Sequence, residues 1–222
     1  MKDFPTHLFI TGTDTDVGKS VVTAALAASA IGPVSAVKPI ASGVAPGNAG
    51  SDARLLGFAA KHAPEELFTW QEPLSPHRAA ENSGRFAHLG ETLAWIREKP
   101  CAQLLVEGVG GWRVPIGWDW GVPELAQGLG YPVLLVAANR LGVLNHTLLT
   151  LDSIRASGLR CIGVVLNDVH PIEGNRSPAQ RYNLQDLKIL VPHLPVVRFP
   201  YLKSFERQVL EEAGHATRKL LS

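Results

Sequence analysis

The sequence predicts an α/β fold, a doubly wound and mostly parallel sheet flanked by helices. Three observations lead there. Short runs rich in β-formers alternate with segments of helical character along the 222 residues. Those runs are apolar at successive positions, the pattern of strands covered by helices on both faces. A glycine-containing loop, Gly12-Thr13-Asp14-Thr15-Asp16-Val17-Gly18-Lys19-Ser20, joins the first run to the first helical segment. Repeated strand, crossover helix and parallel strand wind such a sheet in one hand and gather ligands at its carboxyl ends.

Taken in order, Leu8-Phe9-Ile10 marks a first strand over His7 to Thr11, and an alanine-rich helix follows over Lys19 to Ala30. The second strand, Val34 to Lys38, stops at Pro39, which disfavours helical geometry in the residue before it. A helix over Asp52 to Lys61 and another over Leu89 to Glu98 precede the strand Gln103 to Glu107. After a helix at Val122 to Leu129 comes the most apolar strand, Val133 to Ala137. Helices at Val143 to Ser157, Pro178 to Leu190 and Phe205 to Leu220 alternate with strands at Cys161 to Leu166 and Pro195 to Phe199. Gly/Pro-rich loops are expected at Pro39 to Gly50 and Gly108 to Gly121, with an irregular stretch from Glu72 to Phe86. No repeat or linker interrupts the chain, so a single nucleotide-binding domain over residues 1–222 is expected.

Composition narrows the function classes. A net charge of +1 with 18% charged residues excludes the basic surface of a general nucleic-acid binder. No apolar run approaches the ~20 residues that span a bilayer. The first residues, Met1-Lys2-Asp3-Phe4-Pro5, lack the apolar stretch of a signal peptide, which predicts a cytoplasmic protein with no membrane partner. Cys101 and Cys161 border apolar strands without metal-like spacing and read as small buried thiols. The 8 histidines form no zinc-ligand pattern.

The loop ending Gly18-Lys19-Ser20 between a strand and a helix is the arrangement that grips nucleotide phosphates. Backbone N–H groups and the positive helix end face the anion, Lys19 reaches the β and γ phosphates, and the Ser20 hydroxyl suits Mg2+. Gly12 stands one residue too early for the strict pattern, because Thr13 fills its first position. Lys38 ends a strand at the same rim and reads either as a solvated terminus or as a second cation for a transferred phosphoryl group. Glu107, ending a buried strand, is placed to hold Mg2+ directly or through water, and the glycines after it let backbone approach a ligand. Asp52 is either a helix cap or a second metal carboxylate. Asn167-Asp168 follows a strand, and the Asn167 amide offers the donor and acceptor that an adenine edge requires. The Arg140 to His146 segment is either ordinary helix initiation or a seat for a carboxylate. Trp112, Trp118 and Trp120 read as packing. Ser75-Pro76-His77 has no assignable acid partner, which argues against hydrolase chemistry.

Together these residues resemble the dethiobiotin synthetases, ATP-dependent members of the P-loop NTPase superfamily, from Thr11 to about Leu202. The resemblance rests on residues 12 to 20, Lys-Pro-Ile-Ala-Ser-Gly at 38 to 43, Ser-Asp-Ala at 51 to 53 and Ser-Pro-His at 75 to 77. It continues through Val-Glu-Gly-Val-Gly-Gly-Trp at 106 to 112, Leu-Gly-Val-Leu-Asn-His at 141 to 146, Asn-Asp-Val at 167 to 169 and Phe-Pro-Tyr-Leu at 199 to 202. It implies a P-loop NTPase fold and a cyclo-ligase that carboxylates 7,8-diaminopelargonate with carbon dioxide. Ring closure to dethiobiotin would run through a carbamate and a carbamic-phosphoric anhydride, with ATP as co-substrate and Mg2+ as cofactor.

Carried over residue by residue, the resemblance makes Lys38 and Lys19 catalytic and Ser20, Asp52 and Glu107 the metal positions. It gives nucleotide contacts to Asp16, Val17, Gly18, Lys19, Ser20 and Val21 and to Gly108, Val109 and Gly110. Asn167, Asp168, Pro200, Tyr201 and Leu202 complete that set, with Glu206 beside them after a one-residue shift. Ser42 would contact the substrate. Gly142, Val143, Leu144 and Asn145 correspond to a helix start donated across a homodimer interface to the substrate carboxylate. This chain departs from the family at Asp16, where glutamate is commoner, at Ser20, where threonine is frequent, and at Arg140, often lysine. Its loop between Ser42 and Asp52 is also short. Two other classes share parts of this pattern. Partitioning and cell-division ATPases usually carry an extra lysine early in the phosphate loop, where this chain has Thr13 to Asp16. Amide synthetases of the cobyrinate type commonly draw ammonia from a glutaminase domain, for which this chain has no room.

Overall fold

Each strand of the main sheet feeds two cores, which explains the unbroken apolar runs. The computed structural model describes residues 4–99, 102–171 and 177–222. The chain runs β1 (His7–Gly12), α1 (Lys19–Ala28), β2 (Val34–Val37), β3 (Ile40–Ser42), α2 (Ser51–Ala60), β4 (Phe68–Trp70), α3 (Pro76–Ser83) and α4 (Leu89–Arg97). It continues through β5 (Gln103–Glu107), α5 (Val122–Leu129), β6 (Val133–Ala138), α6 (Val143–Ala156), β7 (Cys161–Asn167), α7 (Pro178–Leu190), β8 (Val196–Phe199) and α8 (Arg207–Leu221). Leu8 and Ile10 of β1 pack on one side with the alanines of α1, while Phe9 between them packs on the other with Leu104 and Val106.

The main sheet has 6 strands in the order β2-β5-β1-β6-β7-β8, and every pair is parallel. Its register positions the site. Ile10 lies opposite Glu107 and Val37 opposite Val106, so the ends of β1, β2 and β5 bring the glycine loop, Lys38 and Glu107 to one rim. On the other side of β1, Ala138 faces Asn167 and Asn167 faces Phe199, which extends that rim to β8.

A second sheet of 2 parallel strands, β3 and β4, and the helix α3 depart from the sequence reading. Residues 39–50 are not all loop, because Ile40–Ser42 pairs with Phe68–Trp70. Residues 72–86 contain α3, with Pro76 at its first turn and Gly84 ending it in the left-handed conformation. Three-residue strands are too short to show a period, and their partner lies 28 positions away by the Ile40 to Phe68 pairing. The proline start and glycine stop of α3 were legible as local signals. At the carboxyl end, α8 begins at Arg207 rather than Phe205.

Among the described residues, no helix is long and apolar enough to cross a membrane. Cys161 is partly buried against the core rather than inside it, and its desolvation pushes the thiol up to about 11. Cys101 lies outside the described residues. Trp112 is buried and its indole N–H donates to Ser153 Oγ at 3.1 Å, and Trp120 is also buried. Trp118 instead is 65% exposed, against His77 and Arg78.

Candidate active site

The loop between β1 and α1 folds back onto its own start. A Cβ at Gly12 would lie 2.7 Å from Val17 Cγ2, so the early glycine admits the closure that the strict motif achieves one residue later. Thr13 N–H is held by the Val136 carbonyl at 3.0 Å, and Asp16 adopts a positive φ of 56°, a conformation aspartate tolerates. Gly18 caps α1 with φ 85°. Lys19 is buried, and its ammonium donates to the Asp14 carbonyl at 3.0 Å, across the mouth of the loop. Burial, and next the charge of Lys38, lower the Lys19 ammonium to about 8.

Lys38 is the centre of a charge cluster. Its Nζ lies 2.6 Å from Glu107 Oε1 and 2.6 Å from Asp52 Oδ2, and Ser20 Oγ donates to the same Glu107 oxygen at 2.7 Å. Burial alone would pull the Lys38 ammonium down. The Glu107 and Asp52 carboxylates outweigh it and hold the group above the ordinary lysine value. For Asp52, burial would raise the carboxyl, but the charge and hydrogen bond of Lys38, with the charge of Lys19, keep it below the usual range. Asp52 is in the first turn of α2, whose cap is Gly50, so the capping reading of Asp52 does not hold. Glu107 is fully buried, and its second oxygen, Oε2, has no hydrogen-bond partner.

A cavity of about 710 Å³ opens over this cluster. Its lining includes Asp16, Gly18, Lys19, Ser20, Val21 and Lys38. Ser42, Asp52, Glu66, Pro73 to Pro76, Asn167, Asp168 and Pro200 to Leu202 also line it. Val109 and Gly110 form part of the wall. Its volume is that of a small-molecule site.

Sequence comparison decides the family. A family model described as an AAA domain matches residues 6–209. The ATP-dependent dethiobiotin synthetase of Rhodococcus jostii (strain RHA1) is 42% identical over 188 residues, 81% of this chain and 80% of the relative. The enzyme of the same name from Anaeromyxobacter sp. (strain Fw109-5) is 37% identical over 90% of this chain and 93% of its own length. That of Yersinia pestis bv. Antiqua (strain Angola) is 38% identical over 93% and 91%. The chain belongs to the ATP-dependent dethiobiotin synthetase family.

Solved structures similar to this synthetase family member share its fold alone. A putative plasmid partition protein from Borrelia burgdorferi B31 aligns with TM-score 0.54 and 10% identity, covering 98% of this chain and 97% of its own. The septum site-determining protein MinD of Pyrococcus horikoshii OT3 aligns with TM-score 0.52 and 14% identity, covering 96% of each.

Not every site residue expected from the synthetase resemblance meets the cavity. Val17 and Gly108 do not line it, and Glu107 reaches it through Ser20 and Lys38. Gly142, Val143, Leu144 and Asn145 are at the start of α6 and do not line it in this chain. Arg140 instead pairs with Asp14 at 3.3 Å, and both side chains are exposed. Asp168 has both oxygens engaged: Oδ1 accepts from Asn139 Nδ2 at 2.7 Å and Oδ2 from Arg198 Nε at 2.6 Å. Asn183 Nδ2 extends this buried chain to Asn139 Oδ1 at 2.9 Å. His77 Nδ1 stands 3.0 Å from Ser75 Oγ, with no carboxylate in an ion pair with the ring among the described residues. Sequence reasoning missed Glu66, Asn139 and Arg198, whose local sequence gave no signal. Their partners are 16, 29 and 30 positions away.

Proposed function

We propose that this chain carboxylates 7,8-diaminopelargonate and closes dethiobiotin at the expense of ATP; its relatives are named ATP-dependent dethiobiotin synthetases. The observation that supports this best is the Lys38 ammonium, held at 2.6 Å between Glu107 and Asp52 beside the phosphate loop and open to the cavity that also holds Ser42. A nitrogen of the diamine adds to the carbon of carbon dioxide and loses a proton, giving a carbamate. A carbamate oxygen then attacks the γ phosphorus as the bond to ADP breaks. The second nitrogen attacks the carbamoyl carbon, loses its proton and expels inorganic phosphate as the cyclic urea forms.

Both lysines serve the anion-rich stages. Lys38 steadies the carbamate and its phosphorylated form, and Lys19 the phosphoryl group in transfer, in a buried setting where fixed charges act strongly. The phosphate-loop amides and the start of α1 receive the nucleotide phosphates. Asn167 and Pro200 to Leu202 bound the end of the cavity assigned to the base. Ser42, beside Lys38, orients the diamine so that its second nitrogen is near the carbon it attacks.

The donors Ser20 Oγ, Asp52 and Glu107 are all hard oxygens, and the buried, unpartnered Glu107 Oε2 is the kind of atom a cation satisfies. They fit Mg2+, which favours a few carboxylates plus water and substrate phosphate. Bound there, Mg2+ would neutralise phosphate charge as it builds. Gly142 to Asn145 are outside this chain's own cavity, and near them Leu141 and Leu149 are 87% and 63% exposed. We assign that face to a second copy of the chain, whose α6 start would receive the diamine's carboxylate.

The reaction is tested by ADP release from purified protein with Mg-ATP and bicarbonate, with and without the diamine, alongside mass detection of dethiobiotin. One dethiobiotin per ADP, with strict dependence on the diamine, is the expected result. ATP turnover indifferent to the diamine would overturn the proposal in favour of a nucleotide-switch protein.

A further inference from the structure

We propose that Glu66 is a positioning residue of this site, an inference that rests on the reaction above. Its carboxylate ties the helix that presents Asp52 to the segment that fixes Lys38. The cap of α2 is Gly50, which has no side-chain oxygen to satisfy the helix start. Glu66 supplies one from a distance: its Oε2 accepts the Gly50 N–H at 2.9 Å. A carboxylate there also meets the positive end of the helix.

The backbone around Glu66 grips the Lys38 segment. Lys38 N–H donates to the Glu65 carbonyl at 3.1 Å, and Leu67 N–H and Phe68 N–H donate to the Pro39 carbonyl at 3.1 and 2.9 Å. One short stretch of chain therefore holds Lys38 through its backbone and Asp52 through the Glu66 side chain. The 2.6 Å contact between Lys38 Nζ and Asp52 Oδ2 is where those two grips meet. Gly50 and the Glu66 carboxylate are packed closely: a Cβ at Gly50 would lie 2.6 Å from Glu66 Oε1 and 3.2 Å from Val44 Cγ2, so an alanine there displaces the carboxylate. A misplacement of about 1 Å in a reacting constellation costs on the order of 100-fold in rate.

The test compares the wild-type full chain with Glu66→Ala, Glu66→Gln and Gly50→Ala. Mn2+ affinity is measured in the presence of ADP and without the diamine, beside kcat and thermal stability. Glu66→Ala is expected to weaken Mn2+ binding by about 10-fold or more and to lower kcat by a similar factor, as loss of a group orienting a metal ligand does. Glu66→Gln keeps an oxygen for the Gly50 N–H and is expected to restore most of both. Gly50→Ala pushes on the strut from its other end and should reproduce the defect. Wild-type Mn2+ affinity in Glu66→Ala, with or without a fall in stability, would overturn the proposal. So would a Glu66→Gln variant as weak as Glu66→Ala. If Glu66→Ala does not fold, Gly50→Ala decides: weakened Mn2+ binding supports the role and native binding overturns it. Because the cation measurement needs no diamine, failure of the wild-type chain to form dethiobiotin would count against the reaction alone and leave this contrast readable.

Discussion

The side-chain amide of Asn167 fills the space that a Cβ on Gly18 would need, with Nδ2 only 2.0 Å from that position. The same nitrogen donates to the Val17 carbonyl at 2.9 Å, so the end of β7 is fastened to the phosphate loop. The amide thus braces the loop through its nitrogen.

Gly18→Ala should therefore uncouple the loop from Asn167. The substitution meets both the clash and a positive φ of 85°, whose backbone cost alone is about 1–2 kcal/mol for a residue with a Cβ. The expected outcome is a folded protein whose ADP affinity falls by more than about 10-fold, the equivalent of 1.4 kcal/mol. Calorimetric titration with Mg-ADP reads it directly, and native affinity in this variant would refute the bracing role.

Lys38→Met separates two contributions of one side chain. Turnover should drop by at least about 100-fold, the scale of losing one preorganised charge stabiliser, while ADP affinity stays close to wild type through Lys19 and the loop amides. Stability should fall by about 3 kcal/mol, because Glu107 is left buried with its Lys38 ion pair broken. Pairing the change with Glu107→Gln should recover much of that stability and none of the activity. Equal loss of ADP affinity and turnover in Lys38→Met would contradict this division of labour.

The contrast between these residues and Glu66 shows what a sequence discloses. Lys19, Lys38 and Glu107 each end or follow an apolar strand, and once the parallel order is inferred their shared rim follows from topology. Asp52 was ambiguous because an aspartate at a helix start fits a cap and a ligand equally; in the fold Gly50 is the cap, and Asp52 Oδ2 meets Lys38, 14 residues earlier in sequence. Asp168, beside Asn167, lines the cavity, and its two oxygens also accept from Asn139 and Arg198. No spacing rule encodes such partners, since they meet only where β6, β7 and β8 end side by side. The β3 and β4 strands were illegible for a related reason: each is stabilised by the other rather than by a local pattern.

Lys19 gives the site a pH signature. The unfolded chain keeps this ammonium near its ordinary 10.5, whereas burial and Lys38 bring it to about 8 in the fold. Between those values the unfolded state holds a proton that the folded state has released, so this group makes stability rise as pH climbs from about 8 towards 10.5. Below pH 8 its unfavourable contribution is fully present. Nucleotide phosphates favour the charged form, so Mg-ADP binding at pH 8 should draw in about half a proton, falling towards none by about pH 6.5. Titration calorimetry in two buffers of different ionisation enthalpy measures the uptake, and Lys19→Met should abolish it. Binding heats at pH 8 that do not depend on the buffer would exclude the lowered Lys19 value.

Away from the cavity, α8 crosses α1 so closely that a Cβ at Gly214 would lie 1.9 Å from the Ala25 carbonyl oxygen and 2.4 Å from Ser29 Oγ. Neither atom can yield cheaply, because one is helix backbone and the other accepts from Arg218 Nε at 3.1 Å. Gly214→Ala must lift α8 away from α1, at a cost of about 1–3 kcal/mol, typical of overpacking a well-filled core. In a chain of this size each kcal/mol moves the melting point by roughly 2–4 °C. The phosphate loop enters α1 at its opposite end, at Lys19, so KM for ATP should be unchanged in the surviving folded protein. A lowered melting point with native KM is the expected pair of results. An altered KM at native stability would mean that α1 transmits strain from its carboxyl end to the loop, contrary to the rigid packing inferred here.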